Sequence, residues 1–124
     1  MEKIDLMEEL KKIRARGAEV SSTTIVKTNT LRIVLMALRA GAHLREHHAD
    51  GRLSLQVLEG EIELTVENTK HRLSTGMLAD LEARAPHGVL ARSEAALLLT
   101  IAWPSSETEA EQAEAAAHRK TGYA

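Results

Sequence analysis

The sequence predicts an all-β fold, an antiparallel barrel with a short helix at each end. Three observations carry that expectation. Leu53-Ser-Leu-Gln-Val57 and Ile62-Glu-Leu-Thr-Val66 alternate apolar with polar residues, the period of a half-buried strand. Turn signals recur at short intervals, at Gly60, at Glu67-Asn-Thr-Lys70, at Ser74-Thr-Gly76 and at Arg92-Ser-Glu94. Two longer runs, 31–38 and 95–103, are apolar apart from Arg32 and Thr100, as expected of strands covered on both faces.

The elements follow in chain order, within one domain spanning 1–124. Leu6, Met7, Leu10 and Ile13 recur at helical spacing, so residues 6–16 read as an amphipathic helix. Asp5 is placed to cap its start, with Glu8 three residues later, and Gly17 is a natural stop. The Ser- and Thr-rich segment 18–29 has little helix signal, and a weak strand is expected over 24–28. The barrel then runs over 24–103. Leu53, Leu55, Val57, Ile62, Leu64 and Val66 are expected to face inward, with a hairpin turning at Gly60. Trp103 reads as packing at a strand end, and Pro104 closes the sheet region. Ser106 with Glu109 forms a capping box for a second helix over 107–119, rich in Ala and Glu and almost without an apolar stripe.

Composition narrows the function. Aromatic residues are 2% of the chain, with one Trp, one Tyr and no Phe, so the core must be aliphatic. The net charge of −2 offers no basic excess for a phosphate backbone, which disfavours nucleic acid as a partner. Cysteine is absent, which removes disulfides, thiolate chemistry and Cys-ligated zinc. The amino terminus has no apolar signal core and no apolar run is long enough for a bilayer, so a cytoplasmic protein without a membrane partner is expected. Phosphate-cradling Gly loops, a G-x-S-x-G elbow and an H-E-x-x-H helix are all missing.

Two segments are more specific. The first runs from Gly41 through His47, His48, Ala49 and Leu53 to Gly60, and the second from Gly76 through Glu82, Arg84 and Pro86 to His87. Together they resemble the two signature motifs of the cupin superfamily, G-x5-H-x-H-x3-4-E-x6-G and G-x5-P-x-G-x2-H-x3-N. Gly41, Gly60 and Gly76 fall at the family positions, and Val-Leu-Glu-Gly60-Glu matches the usual wording of that turn. The resemblance implies a cupin-like, jelly-roll type barrel around a divalent metal (Zn, Fe, Mn or Ni), and a homodimer. The apolar runs give the dimer independent support, because a lone barrel would leave one of their faces in water.

The ligand positions depart from the pattern. His47 matches the first His and His87 the last, but Ala49 stands at the second His and Leu53 at the Glu. Ala91 stands at the Asn, and Glu82 and Arg84 replace the Pro and Gly of the second motif. His47, His87 and His48 are thus the candidate metal ligands, and His47, His87 and Leu53 the candidate ligand-binding residues. His48 would need a bulge to turn inward beside His47, since neighbours on a strand face opposite sides. His43 is a further candidate, placed in the preceding loop. His71, after a turn, reads as a solvated loop residue, and His118 as a surface residue. Glu59, Glu61, Glu63 and Glu67 read as a solvated face.

The favoured function is small-molecule binding in a mostly apolar cavity with a His47/His87 polar end, able to hold a metal only weakly. The alternative is a metal-dependent cupin enzyme of the dioxygenase, isomerase or decarboxylase type. Fold alone does not separate them.

Overall fold

The computed structural model describes residues 1–104. The amino-terminal helix α1 spans Leu6–Arg14. The Asp5 carboxylate accepts hydrogen bonds from the backbone N–H groups of Met7 and Glu8 at 3.1 and 3.2 Å, satisfying donors that have no partner within the helix. Two residues short of the expected end, the helix gives way to a turn that closes at Gly17, whose φ is 74°.

Nine strands follow: β1 (Val20–Lys27), β2 (Leu31–Leu38), β3 (His43–His47), β4 (Arg52–Glu59), β5 (Glu61–Val66), β6 (Thr69–Ser74), β7 (Leu78–Leu81), β8 (His87–Ala91) and β9 (Ala95–Ala102). They form two antiparallel sheets, ordered β1-β2-β9-β4-β7 and β3-β8-β5-β6. β1 begins four residues before the expected start of the barrel. Its Ser and Thr side chains weaken the local strand signal, but the ladder to β2 from Val20↔Leu38 to Lys27↔Arg32 takes up its backbone groups.

The Gly60 turn is not a hairpin. β4 pairs with β7 and β9 in one sheet, whereas β5 pairs with β6 and β8 in the other. Gly60 is therefore a corner through which the chain crosses between sheets. Its φ is 88°, and a Cβ there would run into the Glu94 carbonyl oxygen and Ala95 Cα, so only glycine fits. The hairpin is instead β5–β6, turned by Glu67 and Asn68 with φ of 49° and 69°, the two left-handed residues of a tight hairpin turn.

Leu53, Leu55 and Val57 of one sheet and Ile62 and Leu64 of the other are buried in a shared core with Leu38, Leu97 and Val89. Val66 is half-buried against the same cluster. The outward faces of β2 and β9 are covered by α1, which buries Leu10 and Ile13 on Leu35, Ala37 and Ala96. Each such aliphatic side chain contributes about 1.5–3 kcal/mol on burial. Arg14 ties the helix to the Gly60 corner and to the β8–β9 turn, 2.9 Å from Glu59 and 3.4 Å from Glu94. Among the described residues no helix is long and apolar enough to cross a membrane. The expected helix over 107–119, with its Ser106–Glu109 capping box and His118, lies outside the described residues.

Candidate functional site

The two motif histidines meet at one end of the barrel. β3 and β8 run antiparallel, and His47 and His87 are Cα partners across them. Their ring centroids are 4.3 Å apart with planes tilted by 58°. The register slips between Leu44, which pairs with Val89, and His47. This bulge resets the alternation, so Leu44 and His47 face the same side although they stand three positions apart. Gly88 accommodates it, since a Cβ there would sit 3.2 Å from the Leu44 carbonyl oxygen.

The bulge thus lies ahead of His47 and not between His47 and His48. His48 is exposed just beyond the end of β3. His43 lies on β3 itself, paired with Leu90 and exposed. Neither joins the pair as a third ring.

Each ring of the pair is oriented by its own backbone. His47 Nδ1 lies 2.8 Å from the Arg45 carbonyl oxygen, and His87 Nδ1 lies 3.0 Å from that of Ala85. A carbonyl only accepts, so each Nδ1 carries the proton and each neutral ring keeps its Nε2 lone pair. His87 is only 3% exposed, whereas His47 is open to solvent. Burial holds the His87 pKa below 6.5, and positive charge on His47 or His48 adds to that effect; the Ala85 carbonyl opposes it.

The donor set does not fit a tightly held divalent metal. Such ions take three or four protein ligands. Leu53, at the position the motif gives to Glu, is an apolar side chain 2% exposed in the core. Among the described residues no group of three or more His, Asp or Glu side chains is arranged to hold a metal.

A cavity of about 740 Å³ opens between β5 and β6 on one sheet and β7 on the other. Leu64, Val66, Leu73 and Leu81 form its aliphatic floor, and Glu67, His71, Arg72, Asp80 and Glu82 line it with ionisable groups. His47, His87 and Leu53 are not part of this lining, so the expected cavity is displaced to one side of the histidine pair. The two still share a wall. Val66 is the Cα partner of His87, and Ala85, whose carbonyl orients His87, lines the cavity.

His71 is a correction to the sequence reading. It lies in β6 opposite Leu64, on the inner face, and lines the cavity. The turn ends sooner than expected, and the alternation Thr69, His71, Leu73 was the signal for it. Glu59, Glu61 and Glu63 do face outward, bonded to Arg14, Arg72 and Lys70. Asp80 binds Arg52 through both oxygens at 3.0 and 2.7 Å, which holds its carboxyl below the usual range.

The sequence model of the family described as cupin domain matches residues 34–103. The chain belongs to the cupin family. Solved cupin-type structures agree with the jelly-roll barrel. A conserved protein of unknown function from Streptococcus pyogenes is 23% identical, with a TM-score of 0.70 over 84% of this chain and 89% of that one. A cupin superfamily protein from Desulfitobacterium hafniense is 19% identical, with a TM-score of 0.66 over 68% and 78% of the two chains. Salicylate 1,2-dioxygenase from Pseudoaminobacter salicylatoxidans is 18% identical, with a TM-score of 0.66 over 90% of this cupin but only 32% of the dioxygenase. At these identities the likeness speaks for the fold alone. Curated protein sequences give no match.

Proposed function

We propose that this cupin is a small-molecule-binding protein. Its ligand places a polar group on His47 and His87 and an apolar body in the cavity between β6 and β7. One observation carries the reading: both Nδ1 atoms are tied to backbone carbonyls, which leaves both Nε2 atoms for a partner that the described residues do not supply. Neither Nε2 is among the buried polar atoms left without a partner, so both are accessible to the polar group of a ligand. The cavity volume of about 740 Å³ falls in the range of small-molecule pockets.

Zinc, iron, manganese or nickel would be held weakly here, through the two imidazoles and water. Metal analysis of the purified protein after dialysis is expected to give well under one equivalent. A full equivalent retained through dialysis would reverse the assignment in favour of a metal-dependent enzyme. Ligand binding is read from the imidazole resonances in long-range ¹H–¹⁵N spectra. His47→Ala is expected to weaken binding about tenfold or more, whereas His43→Ala, on the outer face, leaves it unchanged. Equal affinities in the two variants would remove the histidine pair from the site.

Pairing of two copies belongs to the same reading. Met77 and Leu78 remain exposed at the β7 edge, on the rim of the cavity, an apolar strip that a second copy would cover.

A further inference from the structure

The inner face of one sheet carries the histidine pair and a wall of the cavity in adjoining rows. His47, His87, Val66 and Thr69 are successive Cα partners across β3, β8, β5 and β6. Leu44, Val89, Leu64 and His71 form the next row. Partners in an antiparallel ladder present their side chains to one face. Leu64, Val66 and His71 line the cavity, so the buried His87 ring stands on the cavity side of its sheet. Two backbone hydrogen bonds bring the end of the cavity to the same place. The Glu67 N–H donates to the Pro86 carbonyl at 3.2 Å, and the Ala85 N–H to the Glu82 carbonyl at 3.1 Å. Glu67 and Glu82, both in the lining, are thereby joined to the segment 85–87 that carries and orients His87.

Charge in this lining is unbalanced. It holds the carboxylates of Glu67, Asp80 and Glu82 against a single guanidinium, that of Arg72. Asp80 is engaged by Arg52, and Arg72 by Glu61. Glu67 and Glu82 have no ion pair among the described residues. Two unpaired carboxylates beside an apolar wall raise the local concentration of cations. The imidazoles ask for the same kind of partner. With each Nδ1 proton engaged by a backbone carbonyl, each Nε2 accepts a hydrogen bond and donates none. A carboxylate, which also only accepts, finds no donor at this pair, whereas an ammonium group brings three. His47 is open to solvent, so a charged group held there keeps part of its water and avoids the full cost of desolvation.

We propose that the ligand is an aliphatic amine, whose ammonium group donates to the Nε2 atoms of His47 and His87 in the field of Glu67 and Glu82. This rests on the small-molecule reading above and names its chemical class. The cavity floor of Leu64, Val66, Leu73 and Leu81 is aliphatic, which suits an alkyl body and offers no ring on which a flat aromatic one would stack.

The test titrates the full-length protein at neutral pH, by calorimetry, with octylamine, octyltrimethylammonium, octanol and octanoate. Octylamine carries its proton under these conditions. It is expected to bind about tenfold or more tighter than octanol, the size of one hydrogen bond to a charged group. Octanoate is expected to bind more weakly than octanol. Octyltrimethylammonium keeps the charge and has no N–H to donate, so it is expected to fall at least about threefold below octylamine. Glu67→Gln with Glu82→Gln is expected to weaken octylamine about threefold or more and to leave octanol unchanged. Octanoate binding as tightly as octylamine, octyltrimethylammonium matching octylamine, or a double variant that binds octylamine like the parent overturns the proposal. The series of head groups on the unaltered protein decides the matter if the double variant does not fold. Failure of the underlying reading looks different. If none of the four octyl compounds binds, the small-molecule reading falls and the amine with it. If all four bind equally, that reading stands and the amine is excluded.

Discussion

His87 combines burial with a polar ring, and its titration follows from that. The fold favours the neutral form, so the native-state pKa lies below the unfolded value of 6.5. As pH falls through 6.5 the unfolded chain takes up a proton that the native state does not yet bind, so stability declines. The decline ends once pH is below the native pKa, where both states carry the proton. Denaturant midpoints measured across this window are expected to fall with pH, and His87→Gln to flatten the slope. A slope unchanged in that variant would place the pH dependence elsewhere. Leu53 gives the complementary experiment. Leu53→Glu puts a carboxyl in the apolar core, at a position only 2% exposed. It is expected to cost about 2–5 kcal/mol without metal, and added zinc is expected to raise the melting temperature of the variant but not of the parent. A parent that responds to zinc as strongly as the variant contradicts the reading of Leu53.

At the scale of elements the Gly60 corner decides the most. A Cβ there would strain the positive φ and strike the Glu94 backbone, so Gly60→Ala is expected to destabilise by about 2–4 kcal/mol in urea unfolding. A loss below about 0.5 kcal/mol would mean that the corner relaxes freely. The same corner marks a limit of legibility. The alternation of β4 and β5 and the need for glycine between them are written in the sequence. A hairpin and a crossover share that pattern, and only pairing with β7, β9, β6 and β8 separates them. β1 was legible only in its second half, because Ser and Thr give little apolar alternation and its stability comes from β2. His71 was missed by two residues of turn length.

For the molecule as a whole, the assembly state follows from what covers its apolar faces. Apart from Arg32 and Thr100, both faces of β2 and β9 are apolar, which by itself calls for a partner. Within one chain α1 already covers Leu35, Ala37 and Ala96, so the argument for pairing narrows to the exposed Met77 and Leu78 at the β7 edge. Light scattering at micromolar concentration is expected to give twice the chain mass of 13.6 kDa, and Met77→Lys with Leu78→Lys to reduce it to a single chain. A mass of one chain for the unaltered protein would end the proposal of a dimer. The sequence by itself determined the strand pattern, the aliphatic core, the glycines at the sharp turns and the identity of His47 and His87 as the retained motif residues. These follow from local rules: alternation, φ preferences and spacing along the chain. The tertiary structure alone decided which sheet each strand joins, that a bulge turns His47 inward, and that the cavity lies beside the histidine pair. Each of these depends on register between strands far apart in sequence, and one residue of slip would send every side chain to the other face.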